Sequence, residues 1–212
     1  GLGATLLLRT APAATRRAGA TVAGTRLREA LRSRRFAWLY AMCLLGAPSM
    51  FVPFAHLSAS ARDLGVAEAQ AVGLVGLIGI GSLTGRFAIG AVADRIGRPW
   101  TLVGVMASLG LSMALWLLAR DYAALALFAL WMGLSYGGSV SLMPALCMDF
   151  FGARAVASII GTLYTGAALG NLAGPWLTGR VFDATGSYAV PIAGCAVLAL
   201  AAAYSAWRAV RA

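Results

Sequence analysis

Six apolar runs separated by short polar stretches organise this chain: 36–61, 67–93, 99–119, 122–148, 154–182 and 187–207. Each reaches the roughly 20 residues that a helix needs to cross a hydrocarbon layer of about 30 Å. None shows the sustained alternation of apolar and polar positions that marks a barrel strand. The pattern predicts an all-α polytopic membrane protein with six transmembrane helices. Small residues recur at every fourth position in three of the runs. The second has Gly73, Gly81 and Gly85, broken once by Leu77, the fourth Ala129, Gly133, Gly137, Ser141 and Ala145, and the fifth Thr162, Gly166, Gly170, Gly174 and Thr178. Spacing by four keeps these positions on one helix face, and in lipid such faces let helices approach closely. Pro48, Pro53, Pro144 and Pro175 lie inside runs and predict kinks.

A second pattern overlies the first. Gly85, Gly90, Asp94 and Gly97 spell G-x4-G-x3-D-x2-G, and eighty-nine residues later Gly174, Gly179, Asp183 and Gly186 spell it again. Each copy closes one apolar run and precedes the next. Three spans separate the copies, so they fall on opposite sides of the membrane. The six helices are then two inverted three-helix repeats, an arrangement characteristic of secondary transporters. The first copy continues with Arg95 and Arg98, whereas the second has no base after its Asp, as a rule favouring cytoplasmic positive charge requires.

Composition sharpens this picture. Hydrophobic residues make up 60% of the chain and charged residues 11%, where a soluble domain carries about 25% charge. Residues 1–35, the loops at 95–98 and 154, and the C-terminal tail hold thirteen arginines; the other side of the membrane holds Arg62, Arg120 and Arg180. This places both termini in the cytoplasm, with a bacterial inner membrane as the expected location. Residues 1–35 are expected to be the end of a preceding helix (Gly1–Leu8) plus a basic cytoplasmic linker, with an amphipathic turn at Leu27–Leu31. Residues 36–209 are expected to be the bundle and 210–212 a cytoplasmic tail. The net charge of +10 is assigned to cytoplasmic loops, so no nucleic-acid partner is expected. Cys43, Cys147 and Cys195 fall inside spans without metal-ligand spacing. No cofactor or metal is expected, and no hydrolase, zinc-protease or nucleotide-binding motif is present.

Few residues carry chemistry. Arg86 lies within the second run, where a charge costs about 2.5–3.5 kcal/mol on insertion scales and usually faces a bundle interior or a water-filled cavity. Ser82 and Gly90 stand one turn to either side and leave it room, and a guanidinium suits bidentate carboxylate binding. The alternative is that Arg86 snorkels to the interface. Asp94 is expected to join Arg95 and Arg98 in a cytoplasmic charge cluster and to cap the helix that begins near Ala153, or else to be an ordinary loop residue. His56, the only histidine, is a candidate proton relay or a structural hydrogen-bonding group. Tyr136, Tyr164 and Asn171 are candidates to line a cavity, or to bond between helices.

The stretch Gly90-Ala-Val-Ala-Asp94-Arg95-Ile-Gly97-Arg98 resembles the loop motif G-x3-D-R-x-G-R-R/K of the major facilitator superfamily, departing at Pro99. That resemblance implies twelve helices in two halves, of which this chain is similar to the C-terminal one. Residues 27–190 further resemble the oxalate/formate antiporter and monocarboxylate porter families. The likeness rests on Phe36–Tyr40, His56-Leu57, Arg86, Tyr136–Gly138, Asp149–Gly152, Gly161–Thr165, Gly174-Pro175 and Asp183–Tyr188. In those families the arginine matching Arg86 binds the substrate carboxylate. Ala167 stands where the oxalate antiporters have lysine, which points away from a dicarboxylate. Ser82 stands where proton-coupled porters carry an acid, which leaves the coupling ion open. The resemblance implies half of a secondary transporter for a small organic anion, a monocarboxylate, with Arg86, Ser82, Tyr136, Tyr164 and Asn171 at the substrate and Gly90, Asp94, Arg95, Gly97 and Arg98 as a gating motif. Its partners would be the lipid bilayer and an N-terminal six-helix half. The alternative is a scaffold or sensor that retains the fold without transporting.

Overall fold

A computed structural model describes residues 24–212 of the chain, so the helix end expected at Gly1–Leu8 and the linker to residue 23 lie outside the described residues. A short helix, α1 (Leu27–Arg32), precedes six long ones: α2 (Arg34–Asp63), α3 (Glu68–Ile96), α4 (Arg98–Leu118), α5 (Tyr122–Phe151), α6 (Val156–Thr185) and α7 (Ala189–Arg211). All six long helices have the length and apolarity to cross a membrane. Their ends fall within four residues of the expected runs, and α7 takes in most of the expected tail. Helix ends follow local chemistry. Ser33 accepts a hydrogen bond from the Phe36 amide at 3.1 Å and opens α2, and Asp121 accepts from the Ala124 amide at 2.8 Å and opens α5. The chain passes through Pro48, Pro53, Pro144 and Pro175 without ending a helix.

Contacts at the two ends of the bundle fix the helix directions. Arg35 at the start of α2 donates to the Ala209 carbonyl at the end of α7 (3.1 Å) and lies 4.6 Å over the ring of Phe150 at the end of α5. At the opposite end, Trp116 closing α4 donates to Ser60 of α2 (3.3 Å) and stacks on Phe128 of α5, ring centroids 5.0 Å apart. The six helices therefore alternate in direction, and Asp94 and Asp183 stand at opposite ends.

The repeated pattern has a packing cause. α3 packs chiefly on α5 and α6 on α2, while α4 and α7 pack on each other as well as on α5 and α2 respectively. These pairings exchange when α2–α4 is swapped with α5–α7. The exchange extends to single residues. A methyl group at Gly81 would meet the Leu130 carbonyl oxygen, and one at Gly170, eighty-nine residues on, would meet the Leu44 carbonyl oxygen. A methyl at Gly85 would meet the Leu134 backbone, and one at its counterpart Gly174 would lie 2.9 Å from both Cα and Cβ of Pro48. The last glycine of each copy ends its helix with positive φ, Gly97 at 88° and Gly186 at 64°, where side chains other than hydrogen are strained. The motif thus encodes a close helix crossing and a helix stop, once in each orientation.

Two apolar cores fill the bundle. One, toward the linker end, is built on Leu39, Met106, Leu146, Cys147 and Leu163; the other on Leu57, Leu74, Met113, Phe128 and Ala199. The linker docks on the first. Ala30 of α1 is fully buried, the Thr25 amide donates to the Phe151 carbonyl at 2.7 Å, and Gly24 pairs with Gly152.

Candidate functional site

Where α2, α4, α5 and α6 diverge, they leave a cavity of about 360 Å³. Tyr136, Tyr164 and Asn171 all line it, so the structure brings these three candidates together. Ser139 adds one more polar group, and its hydroxyl is occupied by the Tyr136 carbonyl at 2.8 Å. The remaining wall is apolar: Met42, Cys43, Ala47, Met50 and Phe51 from α2, Leu102 and Met106 from α4, Val140 and Met143 from α5, Ala167 and Ala168 from α6. Phe51 and Phe54 hold the Tyr136 ring edge-on, with centroids 6.0 and 5.7 Å away. Sequence reading missed the methionines. Their signal was present in α5, where Tyr136, Ser139, Val140 and Met143 follow i, i+3, i+4, i+7 spacing, but one lining stripe resembles any other until the facing helix is known.

Arg86 and Ser82 lie elsewhere. Gly85 presses α3 against Leu134 of α5, and the Ser82 backbone meets Gly137, so Ser82 is buried in that crossing and is absent from the cavity wall. Arg86, one residue past the contact stripe, is exposed on α3, with no hydrogen bond or ion pair among the described residues. A methyl at Gly90, one turn on, would meet nothing within 4 Å, so the space above Arg86 is open.

The loop motif pairs differently from expectation. Arg98 Nη1 donates to both carboxylate oxygens of Asp149, at the end of α5, at 3.0 Å each. This ties the α3–α4 turn to the end of α5. Asp94 and Arg95 are exposed, and Asp94 makes no hydrogen bond or ion pair among the described residues. The expected cluster of Asp94, Arg95 and Arg98 is therefore replaced by an Arg98–Asp149 pair. The expected capping contact is missing as well: α6 begins after Ala155 with no side-chain cap.

His56 sits at the far end of the bundle. Its Nε2 lies 3.1 Å from the Pro175 carbonyl of α6, and its Nδ1 3.5 Å from the Tyr188 hydroxyl at the start of α7. A carbonyl only accepts, so Nε2 carries the proton and Nδ1 is free to accept. Burial and then the nearby Asp63 push the Tyr188 phenol above its ordinary pKa, which keeps its hydroxyl protonated as a donor. His56 thus links α2 to α6 and to the start of α7. Among the described residues no three His, Cys, Asp or Glu side chains gather as metal ligands.

The profile of the Major Facilitator Superfamily matches residues 1–175 and, in a second register, residues 37–211. The chain belongs to the major facilitator superfamily. Together with its six membrane-crossing helices, membership makes this an integral membrane protein. Similar curated proteins include human "Monocarboxylate transporter 2", 30% identical over 162 residues, which are 74% of this chain and 33% of that protein. Rat "Monocarboxylate transporter 3" is 32% identical over 69% of this chain and 31% of its own length. "MFS-type transporter opdF" of Penicillium oxalicum is 31% identical over 65% of this chain and 32% of its own length. The chain therefore spans about a third of these relatives.

Proposed function

We propose that this chain forms the C-terminal half of an alternating-access secondary transporter that moves a small organic anion, a monocarboxylate. One observation carries the reading: Arg86 is a permanent charge on the exposed surface of a membrane span, with no partner among the described residues. Left facing lipid it would cost about 2.5–3.5 kcal/mol. Placed between two six-helix halves, it meets water and an anion instead, and its planar fork matches a carboxylate. The names of the relatives support a monocarboxylate as the anion. The partner is an N-terminal six-helix half, on the same polypeptide or a separate chain, and the arginine-rich linker end faces the cytoplasm. The motif Gly90, Asp94, Arg95, Gly97 and Arg98 acts in gating, with Arg98–Asp149 holding one arrangement of the cytoplasmic end.

The test is equilibrium exchange of labelled lactate in vesicles containing the intact protein, compared for wild type, Arg86→Lys and Arg86→Ala. Lysine keeps the charge but loses the fork, so exchange should weaken; alanine should lose it while the protein still reaches the membrane. Equal exchange by all three sinks the proposal and leaves Arg86 as a snorkelling residue.

A further inference from the structure

The cavity and Arg86 are built from different helices, and this division bears on what kind of acid fits. No charged side chain lines the cavity. A carboxylate seated there would be desolvated without a counter-charge, at a cost of several kcal/mol or more. The wall instead offers the thioethers of Met42, Met50, Met106 and Met143 and the ring of Phe51. Methionine fills irregular apolar space and makes favourable sulfur–aromatic contacts. Volume adds a second constraint. Even granting each of lactate's six non-hydrogen atoms the ~30 Å³ of a liquid water, such an acid fills about half of the 360 Å³ available. The unfilled remainder is apolar and gains nothing from trapped water.

Resting on the reading of this protein as a monocarboxylate transporter, we infer that the cavity seats an aromatic body and that the substrate is an aryl-substituted monocarboxylic acid. The ring lies among the methionines, and the carboxylate stays outside the cavity, toward Arg86. With its carboxylate outside, phenylpyruvate places roughly nine non-hydrogen atoms in the cavity, about 270 Å³ at the same allowance, where lactate places roughly three. A polyhydroxylated acid of the same size is rejected, because its hydroxyls would be buried against methionine and leucine without partners. Tyr136, Tyr164 and Asn171 supply the few polar contacts that orient the body.

The experiment is equilibrium exchange in vesicles containing the intact protein, with labelled phenylpyruvate and labelled lactate measured side by side. A single methylene in an apolar pocket is worth about tenfold or more, so kcat/KM for the aryl acid should exceed that for lactate by at least about tenfold. Ala168, exposed on the cavity wall, provides the variant: Ala168→Phe occupies the ring's place and should bring the ratio to within about twofold. A wild-type ratio at or below one overturns the inference, as does a ratio that Ala168→Phe leaves unchanged. Arg86→Ala keeps two failures apart. If lactate exchange needs Arg86 but the aryl acid is not preferred, the inference about the cavity alone falls. If exchange of neither acid needs Arg86, the anion reading falls and takes this inference with it.

Discussion

Gly137→Ala tests the packing that holds the two repeats together. The added methyl would meet the Ser82 carbonyl oxygen, and would lie 2.7 Å from the Ser82 carbonyl carbon and 2.8 Å from its Cα. All three are backbone atoms of the opposing helix, so no side chain can rotate away and α3 must move bodily. Overpacking of this kind costs about 1–3 kcal/mol, sometimes more. Alanine recovers up to about 1 kcal/mol over glycine in a helix, leaving a net loss of about 1 kcal/mol or more. Gly76→Ala on α3 is the matched control, because a methyl there meets nothing within 4 Å. It should be neutral or gain up to about 1 kcal/mol. Gly170→Ala probes the symmetry-related crossing, where the methyl meets the Leu44 carbonyl oxygen and Ala47 Cβ at 2.9 Å, and should behave as Gly137→Ala does. Thermal unfolding in detergent, followed by a maleimide dye that reports exposure of buried Cys147 and Cys195, measures all three. Lowered midpoints for Gly137→Ala and Gly170→Ala with an unchanged or raised midpoint for Gly76→Ala are expected. Equal midpoints for the three variants would refute the close crossing as the cause of the glycine spacing.

Further expectations concern the two ends of the bundle. Arg98→Gln and Asp149→Asn each remove an ion pair whose side chains are 43% and 44% exposed, so either should shift stability by no more than about 1 kcal/mol, and the double variant should cost no more than the worse single one in a double-mutant cycle. A cycle that is simply additive would show that the pair does not couple the α3–α4 turn to α5. His56→Phe keeps a ring but loses the bond to the Pro175 carbonyl, and should cost about 1 kcal/mol, with faster hydrogen exchange at the start of α7. Unaltered exchange around Tyr188 would count against the link.

The apolar run lengths alone determined six membrane-crossing helices, because burying an unpaired backbone in hydrocarbon leaves a helix as the only open-chain solution. The motif at offset eighty-nine determined the inverted repeat. Its glycines answer to local demands, a close crossing at Gly85 and Gly174 and a left-handed stop at Gly97 and Gly186, so the sequence had to spell them twice. The candidates Tyr136, Tyr164 and Asn171 were also legible, as polar residues within apolar runs. What the sequence left open was which helix each face meets. Ser82 and Arg86 share a helix face at i and i+4, yet Ser82 is buried against Gly137 and Arg86 is exposed. A turn of helix does not show where its neighbour's edge falls. Asp94 lies closer in the chain to Arg98 than Asp149 does, yet Arg98 pairs with Asp149. That choice depends on where the end of α5 comes to rest. The methionine-lined cavity likewise exists only where four helices diverge, so its volume and chemistry belong to the tertiary structure and to no single stretch of chain.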